Sequence, residues 1–162
     1  MGVGILTKLF LDFETASVLD VREVGIHNYS THPSTRPLML GWAFDEDEVS
    51  LWEPHTGQMP VEVQEALSSD VTKIAWNTPF ERGIFHRCLG IWIPYEFWLD
   101  AMIWSRHLSL PGSLEKAGPA IGLPPNLLKI QDGKRLINKF SRPFHKGGEE
   151  TLFGISEPRF HN

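Results

Sequence analysis

The sequence lacks the features that mark secreted, membrane-spanning or zinc-stabilised proteins. Cys88 is its single cysteine, so the chain has no internal disulfide and suits a reducing cytoplasm. No apolar run approaches the roughly 20 residues that a membrane span needs, and residues 1–8 lack the basic start and cleavage site of a signal peptide. No Cys and His spacing typical of zinc, no glycine-rich phosphate loop and no nucleophile elbow occurs. We expect a cytoplasmic protein that makes no contact with a membrane.

The sequence is also short of positive charge. Its 15 basic and 20 acidic side chains leave a net charge of −5. This mild acidity excludes a protein that coats nucleic acid by overall charge, although a local basic patch or bound metal ions could still attract a phosphate backbone. Six Trp and ten Phe supply enough bulky apolar surface for one packed core. Since no internal repeat or linker interrupts the chain, we expect a single domain.

Apolar periodicity predicts a sheet in the first half of the chain and helices in the second half. Strands are predicted at residues 6–15, 38–44, 49–52 and 73–76, with a loop over 16–37 and a charged hairpin turn over 45–48. Helices are predicted at residues 61–67, from Pro79 to Gly90, over 96–108, and from Ser113 to near Gly122 with a bend at Pro119.

Two carboxylates lie two residues apart in the first predicted strand. The period-two geometry of a strand sends the side chains of Asp12 and Glu14 to the same face. Adjacent carboxylates repel each other unless cations or donors compensate, and hard divalent cations prefer such oxygen ligands. An edge strand with two solvated acids is the alternative. The apolar neighbours Leu9, Leu11 and Phe13 favour instead a buried strand, in which unpaired carboxylates are costly.

A further acid lies where the last predicted strand passes into a helix. Asn77 ends the strand, Pro79 suits the first helical position, and Glu81 falls in the first turn. The spacing Thr78-x-x-Glu81 is also a capping-box pattern, which would account for the glutamate without any catalytic role. The residues themselves leave both interpretations open.

Together the two segments resemble the DEDD 3′–5′ exonucleases. Leu9-Phe-Leu-Asp-Phe-Glu-Thr15 is similar to the first motif of that family, and Asn77-Thr-Pro-Phe-Glu-Arg-Gly-Ile-Phe85 is similar to the second. The proofreading domains of phage-type family A DNA polymerases share further similarity at residues 25–41, 98–106 and 111–123. The resemblance covers residues 5–143. We therefore expect an exonuclease-like domain over residues 1–143 and a polar tail over residues 144–162.

The resemblance implies an α/β fold, an RNase H-like mixed sheet flanked by helices. It implies Asp12, Glu14 and Glu81 as catalytic residues that hold two Mg²⁺ or Mn²⁺ ions, and paired divalent ions activate water and stabilise a leaving oxygen. Asp12 would bridge both ions, Glu14 would bind the ion on the nucleophile side, and Glu81 would act through water. Asp100 would be a further metal ligand, although an exposed helix acid is an equally open interpretation.

The substrate implied by the resemblance is the 3′ end of single-stranded or frayed DNA. The motif residues Thr15, Asn77 and Phe80 would bind it, with Asn77 touching the terminal nucleotide or orienting the helix start. Residues 129–146 hold six Lys or Arg and one acid. Lys134 and Arg135 could therefore line a path for the DNA backbone, with a solvated basic face as the alternative.

The sequence departs from the family pattern in two places. Glu81 stands where most members have Asp, which lengthens its reach by one methylene. The third motif, Tyr-x-x-x-Asp or His-x-x-x-x-Asp on a late helix, does not occur. Its nearest approach, His145 with Glu150, is interrupted by Gly147-Gly148, which disfavours a helix. We expect the fold to lack that last helix, and the apolar surface it would bury to be exposed or covered by the tail or another chain.

Three functions follow as hypotheses. The first is a two-metal exonuclease of weak activity on DNA 3′ ends, working in the cytoplasm of a bacterial host if phage-encoded, with a polymerase portion or a second copy of itself as partner. The second is a catalytically inactive RNase H-like module that binds DNA or protein. The third is a metal-dependent phosphohydrolase of small nucleotides.

Overall fold

A five-stranded mixed sheet organises the chain. The computed structural model describes residues 7–125, Leu128, and the backbone of residues 144–146 and 149–151. The strands are β1 (Lys8–Ala16), β2 (Arg36–Phe44), β3 (Ser50–Trp52), β4 (Thr72–Ala75), β5 (Trp98–Asp100), β6 (Phe144–Lys146) and β7 (Glu149–Thr151). The helices are α1 (Val21–Thr31), α2 (Val61–Leu67), α3 (Thr78–Cys88), α4 (Ala101–His107) and α5 (Leu114–Ala120). This mixed sheet with flanking helices is consistent with an RNase H-like fold.

The sheet has the order β3-β2-β1-β4-β5, with β1 at its centre. β1 pairs antiparallel with β2 and parallel with β4, and β4 pairs parallel with β5. Along β1 the side chains alternate between the two faces of the sheet, as its apolar pattern predicts. Leu9, Leu11 and Phe13 are buried on the face that carries α3, and this face is the core side of the molecule.

Helix α3 supplies most of the packing against that face. Ile84 and Phe85 are fully buried, and the ring of Phe85 meets that of Phe13 edge-on at 4.7 Å between centroids. Burying side chains of this size stabilises a fold by about 1.5–3 kcal/mol each. α1 packs in turn on α3. The start of α3, and with it Glu81, is therefore fixed against the centre of the sheet.

The predicted loop over residues 16–37 is wrong, because it contains α1. Asp20 caps this helix by accepting a hydrogen bond from the N–H of Arg22 at 3.0 Å. Gly25 interrupts it with φ 74° and ψ 160°, a conformation that suits glycine. Gly25, Asn28 and Ser30 weaken local helix propensity, and packing on α3 overrides that propensity.

The single helix predicted over residues 96–108 is also wrong. It is divided into a 3₁₀ turn at Tyr95–Phe97, strand β5 and helix α4. The segment 98–100 is held as a strand because it pairs with β4, with Trp98 opposite Lys73 and Asp100 opposite Ala75. Apolar spacing alone does not reveal such pairing with a distant strand.

The remaining described elements confirm the sequence predictions. β2 and β3 pair antiparallel around the charged turn, and two residues separate β4 from α3. α5 begins after Ser113 and ends at Ala120, with Pro119 inside it. His145 lies opposite Glu150 in the antiparallel pair of β6 and β7, so these two residues are not on a helix, although no strand was predicted there. In residues 7–125 and the other described positions, no helix combines the length and apolar character that crossing a bilayer requires.

Candidate active site

Asp12 and Glu14 lie on the same face of β1, as the strand period predicts. Asp12 is exposed and Glu14 is half-buried. The sequence predicts a buried strand from the apolar residues Leu9, Leu11 and Phe13. In the structure these residues belong to the opposite face of β1, away from the two acids. Among the described residues, the carboxylate pair therefore lies on the sheet face that α3 does not cover, called the open face here.

A cavity of about 430 Å³ opens beside this pair. Residues from four strands line it, among them Phe10, Met39, Trp42 and Leu51, and Trp76 is also part of the lining. Its walls are thus mostly apolar and aromatic, with Asp12 and Glu14 as the acids in the lining. A concave apolar surface with a few convergent polar groups is the usual form of a ligand site.

Glu81 lies in the first turn of α3, on the core side of the sheet. It is 2% exposed, and its Oε2 is buried without a hydrogen bond to any described residue. Its pKa is raised to about 8, chiefly by burial and to a smaller extent by the charges of Asp12 and Asp100. Hydrogen bonds from its own backbone N–H and from that of Phe13 act in the opposite direction. A carboxyl group so perturbed beside other acids is typical of a functional site.

The junction of β4 and α3 holds Glu81 in this position. Asn77 precedes the helix with φ 70° and ψ 60°, a left-handed conformation that Asn tolerates better than most residues. Pro79 occupies the first turn, where its missing N–H costs nothing. The capping-box interpretation is wrong, because the N–H of Thr78 donates to Asp100 Oδ2 at 2.9 Å and not to Glu81. Glu81 therefore does not cap the start of α3.

Asp100 lies at the end of β5 and binds the starts of two helices. Its Oδ1 accepts from the N–H of Met102 at 2.9 Å, which caps α4. The same oxygen accepts from the N–H of Asn77 at 3.2 Å at the start of α3. Sequence analysis missed this positioning role, although an Asp directly before Ala101 is a typical N-cap signal.

The predicted substrate residues are spread over different surroundings. Thr15 is buried, and its hydroxyl is hydrogen-bonded to that of Tyr29 at 2.7 Å, on the face opposite Asp12. Phe80 packs against the core with its ring 6.1 Å from that of Tyr29. Asn77 is exposed at the helix start. Lys134 and Arg135 lie outside the described residues.

The donor set fits a divalent cation in part. In the described portion of the chain, no three His, Cys, Asp or Glu side chains cluster closely enough to hold a metal ion. The unbonded Oε2 of Glu81, with the charge of Asp12 acting on it, is nevertheless an arrangement that a cation would stabilise. The chemistry of these two carboxylates fits Mg²⁺ or Mn²⁺, and the described residues do not complete a two-ion ligand set.

Comparison with known proteins relates the chain to a viral replication enzyme. No protein-family model matches it. A DNA polymerase of Bacillus phage SP02 is 34% identical to it over 140 residues, which are 85% of this chain. The match spans 21% of that polymerase, so the chain corresponds to about a fifth of its length. The chain is thus a polymerase-related domain, in agreement with the polymerase relationship expected from its motifs.

Proposed function

We propose that this chain is a 3′–5′ exonuclease-type domain, which hydrolyses phosphodiester bonds at the 3′ end of single-stranded or frayed DNA. The observation that carries the proposal is Glu81, a buried carboxyl group with an unbonded oxygen at the start of α3, subject to the charge of Asp12 on β1. The relationship to a phage DNA polymerase supports a function on DNA.

The proposal gives the acids different roles. Asp12, Glu14 and Glu81 would together hold the divalent ions, with Asp12 as the central ligand, Glu14 on the side of the attacking water and Glu81 acting through water. When bound, Mg²⁺ or Mn²⁺ activates water and stabilises the charge that develops on the leaving 3′ oxygen.

The chain's own residues prepare the site for that chemistry. With a pKa of about 8, Glu81 holds a proton at neutral pH. The hydrogen bonds from Asn77 and Thr78 to Asp100 fix the helix start that carries Glu81. The open cavity beside Asp12 offers aromatic walls to the terminal bases.

A catalytically inactive module that binds DNA or protein is the second candidate. The absence of a three-ligand cluster within the described residues favours it, and so does the lack of a Tyr-x-x-x-Asp motif anywhere in the sequence. In either case we propose action in the cytoplasm of a bacterial host, beside a polymerase portion or a second copy of the chain. The two candidates differ in whether DNA is shortened.

A 5′-labelled single-stranded oligonucleotide tests this difference. With Mn²⁺ we expect a ladder of products that grows from the 3′ end and disappears when an inverted nucleotide blocks that end. Asp12→Ala should abolish the ladder, whereas Glu46→Ala, which removes an exposed acid of the β2–β3 turn, should leave it unchanged. A ladder that persists in Asp12→Ala overturns the assignment of the site. DNA that is bound but never shortened supports the inactive module.

A further inference from the structure

A second cavity, of about 410 Å³, lies between α1, α3 and the segment 91–95. It is called the α1–α3 groove here. From α3 it is lined by Pro79, Arg82, Gly83, His86 and Arg87, and also by Phe85. The first five positions follow the spacing i, i+3, i+4, i+7, i+8, which is one face of a helix. Glu81 and Ile84 lie on the other face, so the groove is separate from the carboxylate site.

The lining of the groove carries positive charge and no acid. Arg82 and Arg87 are joined there by His27 and His86. This composition is unusual in a chain whose net charge is −5. A cationic concave surface of this kind attracts a ligand that carries negative charge.

Aromatic rings stand at one end of the groove. Trp92 is 58% exposed and Tyr95 is 66% exposed, and their rings meet edge-on at 6.2 Å between centroids. The ring of His86 meets that of Trp92 edge-on at 5.0 Å. Rings held by each other yet largely open to solvent provide a prepared surface on which a planar group can stack.

Arg82 connects the charge with the rings. Its guanidinium lies 3.1 Å from the centroid of the Tyr95 ring. Its Nε is buried and makes no hydrogen bond to a described residue. Stacking on an aromatic face restricts the guanidinium, whose terminal N–H groups, rather than the buried Nε, would bind an anion. A phosphate is the anion that arginine donors bind with the best geometry.

We propose that the α1–α3 groove binds a segment of a single-stranded polynucleotide, with bases stacked on Trp92 and Tyr95 and phosphates held by Arg82 and Arg87. A single strand presents planar rings and phosphates together, and the groove lining holds aromatic and arginine side chains together. An acidic protein segment would pair with the arginine side chains but would offer no planar group to stack on the exposed rings. The proposal does not depend on hydrolysis and stands apart from the proposed function.

The test is binding of a fluorescent oligothymidylate of about 12 nucleotides to the full chain, followed by anisotropy. EDTA is present throughout, so that no metal-dependent contact at Asp12 contributes. Trp92→Ala should weaken binding about 5- to 100-fold, the range expected for the loss of one stacked base. Trp92→Phe, which keeps a ring, should recover most of the affinity. Circular dichroism of each variant verifies that the fold is retained.

Matched controls separate the groove from general effects. Trp104 on α4 is 59% exposed and does not line the groove, so Trp104→Ala should bind like the original chain. Arg87→Gln should reduce the slope of log affinity against log salt by about 1. Arg22→Gln, which removes an exposed arginine paired with Asp20 outside the groove, should leave that slope unchanged.

Two results overturn the proposal. One is equal binding by Trp92→Ala and Trp104→Ala. The other is an oligoglutamate peptide that competes as strongly as unlabelled oligothymidylate and whose binding does not change in Trp92→Ala. That result would make the groove a site for an acidic protein. An oligouridylate arm distinguishes RNA from DNA as the source of the strand. Failure of the exonuclease assay has no bearing on any of these results, because all are measured without metal.

Discussion

Asp100 joins β5 to the start of α3 through Thr78. Its Oδ2 accepts hydrogen bonds from the backbone N–H of Thr78 at 2.9 Å and from the hydroxyl of the same residue at 3.2 Å. The other oxygen binds the starts of α3 and α4. One carboxylate thus satisfies N–H groups of two helices that would otherwise lack partners. The position of Glu81, one turn into α3, depends on this junction.

Asp100→Ala should destabilise the fold, because it removes the cap of α4 and the anchor of α3 together. A single cap contributes about 0.5–2 kcal/mol, so we expect a loss of about 1–3 kcal/mol in the free energy of unfolding. Urea denaturation measures it, with Glu65→Ala on the exposed side of α2 as the control. An unchanged midpoint would show that the junction does not depend on Asp100.

Glu81 should make stability depend on pH. Its pKa is about 8 in the folded state against 4.5 in the unfolded state, so the folded state binds the extra proton between these values. The contribution of Glu81 to the free energy of unfolding should therefore be highest below pH 4.5 and should fall as the pH rises to about 8. The loss is at most about 5 kcal/mol.

Glu81→Gln is the variant that tests this dependence. Because the amide does not ionise, the contribution of this residue to the slope should vanish, and the variant should exceed the original chain in stability at pH 8. Denaturation midpoints across this pH range give the slopes, and Glu62→Gln serves as an exposed control. Parallel slopes in the original chain and Glu81→Gln would contradict the assignment.

The features of the fold and the site that the sequence predicts are those that depend on residues close together in the chain. The shared face of Asp12 and Glu14 and the passage of β4 into α3 depend on neighbouring residues, and both were predicted. The bond from Thr78 to Asp100 joins residues 22 apart in sequence, and no local pattern reveals it. The open face of β1 escaped prediction for the same reason, since burial of a strand depends on which helices cover it.

Divalent cations should bind at Asp12 and release a proton from Glu81. At pH 7 the free Glu81 carboxyl is protonated, so we expect about one proton to be released for each ion that reaches it. Mn²⁺ calorimetry in two buffers of different ionisation enthalpy measures the number. Asp12→Ala should abolish binding and leave the fold intact or slightly more stable, because it relieves like-charge repulsion with Glu14 on the same strand face. Equal Mn²⁺ affinity in the two proteins would refute the assignment.

Self-association is expected from the open face of the sheet. Leu51 at its edge is 61% exposed, and Val49 and Phe10 extend the apolar surface beside it. Light scattering should detect a homo-oligomer of the full chain, and Leu51→Glu should shift it toward monomer, since a buried charge opposes the contact. A monomer at every concentration tested, with no effect of Leu51→Glu, would contradict this expectation.

Nuclease activity should be slow and should favour Mn²⁺ over Mg²⁺. The sequence has no Tyr-x-x-x-Asp motif to orient water, and loss of one positioned acid–base group commonly costs about 10²–10⁴-fold in rate. Mn²⁺ compensates in part because it binds an incomplete set of ligands more tightly. Single-turnover rates on a single-stranded oligonucleotide, measured with each metal, provide the comparison. Vigorous cleavage with Mg²⁺ would mean that a further carboxylate completes the site.

Substitution of Glu149, Glu150 and Glu157 in turn would then identify a carboxylate supplied by the chain itself. Activity that rises with the square of protein concentration would instead identify a carboxylate supplied by a second copy.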